Sequence, residues 1–221
     1  MTPRVVIVPG LAVRSYAVPA VTALRGAGYH VDLLRPPAWR HSPLTVTRYG
    51  ESLAQQLEIR GETIDLLVGL SVGSQAAALA TVLSPLVRQL LLVSPTIDPQ
   101  RRSVPTLLGT WLRGDPSHSD PGFREQIPDW WKAGIPRIVA GFVTALNLPI
   151  EQQLDRMAVD VTIVHTEHDY LGSPAWAQSL AEQSDSRLVQ LPGQSHSWPY
   201  QDPAGFVSLV DQLVKGELDV A

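Results

Sequence analysis

Six short runs of β-branched and leucine side chains punctuate the chain, at residues 5–8, 30–34, 64–68, 89–93, 161–165 and 187–191. Each is too brief for a helix and nearly continuous in apolar character, as in strands covered on both faces rather than hairpins with one wet face. Helical patterns separate them, at residues 16–27, 45–59, 72–83 and 174–182, with a last one at 203–214. Alternation of strand and helix predicts an α/β fold, a mostly parallel six-stranded sheet with right-handed crossovers and helices on both faces. Ser173 before Pro174 reads as a helix cap followed by proline at the first helical position, and Gly28 and Gly216 read as helix ends.

One interval breaks the rhythm. From Thr96 to Asp160, about 65 residues pass without a strand pattern, whereas connections in compact domains usually take about 4–6. Within it Val104, Leu107, Leu108, Trp111 and Leu112 fall at helical spacing, as do Ile135, Ile138, Val139, Phe142, Val143 and Leu146. The spacing predicts a helical cap over residues 99–158, after the fourth strand, on a core formed by residues 1–98 and 159–221.

Composition narrows the function. A chain of 221 residues, 44% hydrophobic and 17% charged, suits one globular domain. Its net charge of −4, without a Lys/Arg-rich run, argues against a nucleic-acid partner. With no cysteine, disulfides, thiolate metal sites and a cysteine nucleophile are all excluded. No His/carboxylate cluster has metal-ligand spacing and no glycine-rich dinucleotide fingerprint follows a strand, so no metal and no organic cofactor is expected. The first apolar run ends at Pro9-Gly10, short of a secretory core, and no stretch approaches the roughly 18 apolar residues that span a bilayer. A cytoplasmic protein is the expectation; the oligomeric state is not written in the pattern.

Residues 69–73 read Gly-Leu-Ser-Val-Gly between the third strand and its helix. A serine on so tight a turn needs small neighbours, and it lies at a helix amino end, where N–H groups and the macrodipole favour developing negative charge. Ser71 is therefore the candidate nucleophile; the plainer alternative is a serine that merely caps the helix. A serine hydroxyl needs a base, usually a histidine oriented by a carboxylate. Of six histidines, His30 belongs to a strand, His41 and His118 sit in polar segments, and His165 closes a strand. His196 lies in the loop after the last strand, and Asp169 follows the fifth, so both emerge at the carboxyl edge with Ser71. His168 is a rival base and Asp98 a rival acid, while Glu167 reads as a solvated charge. Acyl transfer also needs oxyanion donors: the N–H of Val72, and that of Leu11 in the loop after the first strand, where Pro9-Gly10 could equally be an ordinary turn.

Taken together, these segments resemble the α/β-hydrolase superfamily, more narrowly its small cap-bearing esterase-like serine hydrolases. The likeness is carried by residues 8–11 (Val-Pro-Gly-Leu), 69–73, 94–99 (Ser-Pro-Thr-Ile-Asp-Pro), 165–169 and 192–196 (Pro-Gly-Gln-Ser-His). It implies a sheet that begins at the family's third strand and a nucleophile, acid, base order of Ser71, Asp169, His196. Departures are Pro9 where many relatives have His, Arg35-Pro36-Pro37 in place of a common Asp-x-Pro-Gly, and Thr166 in place of a frequent Gly.

The implied activity is hydrolysis of a carboxylic ester or thioester of a small hydrophobic substrate through an acyl-enzyme. Relatives with such a triad also act as carbon–carbon bond hydrolases, acyltransferases or lyases, and a non-catalytic ligand-binding module is the alternative from another class. A serine at position 71 argues against dehalogenase or epoxide-hydrolase chemistry. Trp111, Trp130, Trp131, Phe142, Leu171 and Trp198 are candidate walls of an apolar pocket, or simply pack the cap onto the core.

Overall fold

A computed structural model describes residues 2–103, 105, 109 and 123–218. Its strands are β1 (Arg4–Val8), β2 (His30–Leu33), β3 (Leu66–Leu70), β4 (Gln89–Val93), β5 (Asp160–His168) and β6 (Arg187–Ser195). They form one sheet in the order β2-β1-β3-β4-β5-β6, every neighbouring pair parallel. Successive residues of the central strands β1, β3, β4 and β5 enter opposite cores. Val6, Val8, Leu67, Leu90, Leu92 and Ile163 pack on one face, and Val5, Ile7, Leu66, Val68, Leu91 and Val164 on the other. That double burial is why the central strands read as unbroken apolar runs.

The helices are α1 (Val18–Gly26), α2 (Val46–Arg60), α3 (Gly73–Leu83), α4 (Phe123–Ala133), α5 (Ile135–Leu146), α6 (Ile150–Leu154), α7 (Pro174–Gln183), α8 (Trp198–Gln201) and α9 (Pro203–Lys215). α1 and α9 supply one face, through Val21, Leu24, Phe206 and Val210. α2, α3, α5 and α7 supply the other, through Leu53, Ala77, Phe142 and Leu180. Local chemistry sets the ends: Thr45 and Ser173 cap α2 and α7 by accepting the N–H of Arg48 and Trp176, and Gly216 ends α9 in the left-handed conformation at φ 70°. No described helix is long and apolar enough to cross a membrane.

Several boundaries differ from the sequence expectation. β3 spans Leu66–Leu70 rather than 64–68, Ile64 making only an isolated bridge to Val87. Gly69 stays in the sheet because its backbone pairs with Val8 and Leu92, a pairing that needs no side chain. β5 and β6 run on to His168 and Ser195, so His165 lies inside a strand and residues 192–195 are strand rather than loop. Finally, a 3-10 turn at Ser15–Ala17 precedes α1 where one continuous helix was expected. In the long interval between β4 and β5, α4, α5 and α6 are helical. The Val104, Leu107, Leu108, Trp111, Leu112 pattern lies outside the described residues.

Candidate active site

Ser71 joins β3 to α3 with φ 54°, in the left-handed region that a residue with a Cβ enters at a cost of about 1–3 kcal/mol. Two hydrogen bonds hold it there: Ser71 N–H donates to the Val93 carbonyl at 3.0 Å, and Ser74 N–H to the Ser71 carbonyl at 2.9 Å. Both flanking glycines are sterically required. A Cβ on Gly69 would stand 2.5 Å from the Ser74 Cα, and one on Gly73 2.5 Å from the carbonyl oxygens of both Val8 and Pro9. The end of β1 is thereby packed directly onto the start of α3.

The loop leaving β1 reaches Ser71 itself, since a Cβ on Gly10 would lie 3.3 Å from the Ser71 Cβ. Gly10 N–H donates to the Tyr16 hydroxyl at 2.8 Å. Ala12, at φ 60°, donates its N–H to the Pro37 carbonyl at 2.9 Å, and its carbonyl accepts Trp39 Nε1–H at 3.0 Å. Between these two tethered peptides, the Leu11 N–H has no hydrogen-bond partner among the described residues, and the same holds for Val72 N–H at the mouth of α3.

Asp169 and His196 follow β5 and β6 directly. His196 Nδ1 lies 3.0 Å from Asp169 Oδ1, which also accepts the Leu171 N–H at 2.8 Å. Burial alone would push the Asp169 carboxyl up. The charge of His196, the hydrogen bonds from His196 and Leu171 and the charge of His165 outweigh it and hold the group below its ordinary value. An ionised Asp169 selects the tautomer in which His196 Nδ1–H donates, so the lone pair sits on Nε2. Tyr170 stacks obliquely on the imidazole, ring centroids 5.8 Å apart.

His165, on β5, is buried, and its Nε2 has no hydrogen-bond partner among the described residues. Desolvation pushes its imidazole below its ordinary value; the charge of Asp169 opposes this and that of His196 reinforces it.

The rivals have other partners. Asp98 is fully buried, with Oδ2 accepting from Ser173 N–H and Oγ–H at 3.1 and 2.6 Å and Oδ1 from Gln100 N–H at 2.9 Å, so it braces the start of α7. His168 is a strand residue in register with Ser195. Glu167 is exposed but accepts the Gly193 N–H at 2.7 Å. Among the wall candidates, Phe142 and Leu171 are buried in the core that includes Leu11 and Val72, and half-buried Trp130 packs against both cores. Two other candidates lie apart from that core. Trp131 is 80% exposed, and Trp198 lies in the opposite core, edge-on to Phe206 at 5.6 Å. Trp130 and Trp131 are adjacent in α4, and adjacent residues of one helix point about 100° apart, so one packs on the cores while the other faces solvent. Trp111 lies outside the described residues.

A strained serine between strand and helix, with a histidine–carboxylate pair at nearby strand ends of a parallel sheet, defines the hydrolase class of α/β proteins. The model of the alpha/beta hydrolase family matches residues 5–209, and the chain belongs to that family. No curated protein matches it. Among solved structures, a bromoperoxidase from Bacillus anthracis superposes with a TM-score of 0.76 at 16% identity, over 97% of this chain and 92% of that one. The esterase EaEST from Exiguobacterium antarcticum gives 0.75 at 16%, over 96% and 92%. An enol-lactonase from Burkholderia xenovorans LB400 gives 0.74 at 15%, over 97% and 92%. At such identities the likeness is one of fold.

Proposed function

We propose that this protein is a serine hydrolase that cleaves the carboxylic ester or thioester of a small hydrophobic substrate through an acyl-enzyme on Ser71. The observation that carries the reading is the left-handed φ of Ser71, strain retained at the β3–α3 turn of a parallel sheet whose β5 and β6 ends carry the hydrogen-bonded Asp169–His196 pair. His196 Nε2 takes the Ser71 hydroxyl proton as Oγ attacks the carbonyl carbon. Asp169 stabilises the imidazolium without itself being protonated. The N–H groups of Leu11 and Val72 receive the oxyanion, each worth about 3 kcal/mol in such sites. The imidazolium then protonates the leaving alcohol or thiol, and water repeats the sequence to release the acid. Buried Phe142 and Leu171, in the same core as Leu11 and Val72, favour an apolar acyl group.

The test is hydrolysis of short-chain p-nitrophenyl esters by the parent and by Ser71→Ala. We expect the variant to lose about ten-thousand-fold or more in kcat. Unchanged turnover by Ser71→Ala would remove the serine from the reaction.

A further inference from the structure

We propose that Tyr16 is a positioning residue for the oxyanion: its buried hydroxyl ties down the Gly10 N–H so that the Leu11 N–H faces the reacting carbonyl, and Asp129 holds the turn that carries Tyr16. The inference rests on the serine-hydrolase reading above and names a part of that machinery.

Gly10 has no side chain to restrict it, so the direction of the following N–H depends on what holds the peptides on either side. Tyr16 Oη accepts Gly10 N–H at 2.8 Å on one side, and the Pro37 carbonyl accepts Ala12 N–H at 2.9 Å on the other. The phenol is also adjacent to the nucleophile, since a Cβ on Gly10 would come within 2.8 Å of Tyr16 Oη and 3.3 Å of Ser71 Cβ. Desolvation raises the phenol's pKa well above its ordinary value, with the Gly10 hydrogen bond opposing, so the group stays a neutral hydroxyl.

Tyr16 sits in the 3-10 turn Ser15–Ala17. The N–H groups of Arg14 and Ser15, which open that turn, both donate to Asp129 Oδ2 at 2.8 Å. Asp129 is 5% exposed and belongs to α4, more than a hundred residues away in sequence. The path therefore runs from the inserted helices through Asp129 to the turn, the phenol, Gly10 and the Leu11 N–H. A tyrosine that merely satisfied its own hydroxyl in the core would affect folding but not the ratio of transition-state to substrate binding.

Tyr16→Phe deletes only the oxygen, and Tyr49→Phe is the control. Tyr49 also buries a hydroxyl, donated to the Arg35 carbonyl, and no hydrogen bond among the described residues links it to Gly10 or Ser71. We expect Tyr16→Phe to lower kcat on p-nitrophenyl esters about tenfold or more, with KM within about twofold, and to slow fluorophosphonate labelling of Ser71 by a similar factor. Tyr49→Phe should lower the melting temperature comparably while keeping the parent kcat. Asp129→Ala should repeat the kcat loss, and Asp129→Asn, whose amide oxygen can still accept, should restore most of the rate. Parent-like kcat and labelling in Tyr16→Phe, or equal losses in the Tyr49→Phe control, would overturn the proposal while leaving a Ser71-dependent hydrolase intact. A parent that neither cleaves esters nor labels at Ser71 would overturn both readings.

Discussion

Asp169 concentrates the electrostatics of the site. Its side chain is 0% exposed, and one oxygen takes hydrogen bonds from both His196 and Leu171. With a folded-state pKa held below its unfolded value, the carboxylate contributes stability that is fully present above the unfolded value and disappears as pH falls through the folded one. Below about pH 4, the unfolded reference for aspartate, the parent should therefore lose stability more steeply on acidification than Asp169→Asn. Urea unfolding at a series of pH values measures this, and parallel curves would contradict it. Ser71, Asp169 and His196 stand out in the sequence because each comes a few residues after an apolar strand run, and strand ends of a parallel sheet share one edge. Tyr16 and Asp129 carry no comparable signal. Each looks like an ordinary helix residue until Gly10 and the Arg14–Ser15 turn are brought against them.

At the level of elements, the strand-to-helix turn depends on how closely β1, β3 and α3 approach. Gly73→Ala would push a methyl group to within 2.5 Å of two backbone oxygens on β1 and its loop, atoms that cannot rotate away. The expected loss is about 1–3 kcal/mol of unfolding free energy, read from the urea midpoint, with a fall in ester turnover as the Pro9–Leu11 loop shifts. A parent-like midpoint would show that the loop can give way without loss. The central strands were recognisable because burial on both faces leaves unbroken apolar runs, while the edge strands β2 and β6 are only partly buried. Their ends were less so. Gly69 and Pro192-Gly193 look like turn residues, yet the backbone keeps its pairing through them or resumes it beyond, by a register shift between Thr166 and His168. Local side-chain preference cannot foresee pairing offered by a distant strand.

For the whole molecule, the question is what binds the inserted helices to the sheet. Arg137 of α5 donates to the carbonyls of Ala38, Trp39 and Ser42 at 2.9, 3.0 and 2.6 Å, and so clasps the loop between β2 and α2. Trp39 in turn holds the Ala12 carbonyl, while Lys132 of α4 lies 4.6 Å over the Trp39 ring. Further inward, the Leu11 side chain fills the space beside Gly141, where a Cβ would stand 2.4 Å away, and Gln75 of α3 donates to the Ala145 carbonyl at 3.3 Å. Arg137→Met keeps the aliphatic stem and removes the donors. It should cost about 2 kcal/mol and expose residues 36–42 to protease; a variant as resistant as the parent would assign the union to the apolar contacts alone.

The chain's own pattern determined the alternation of strand and helix, the parallel sheet with two cores and the interruption after β4. Those features follow from periodicity and burial, which each segment carries within itself. The tertiary structure alone decided that Asp98 braces α7 while Asp169 pairs with His196, that Trp131 meets solvent and Trp198 the far core, and that Asp129 secures a turn at the other end of the chain. Such choices depend on which unpaired groups from distant segments arrive within about 3 Å of one another, and hydrogen bonds at that range are set by the folded geometry.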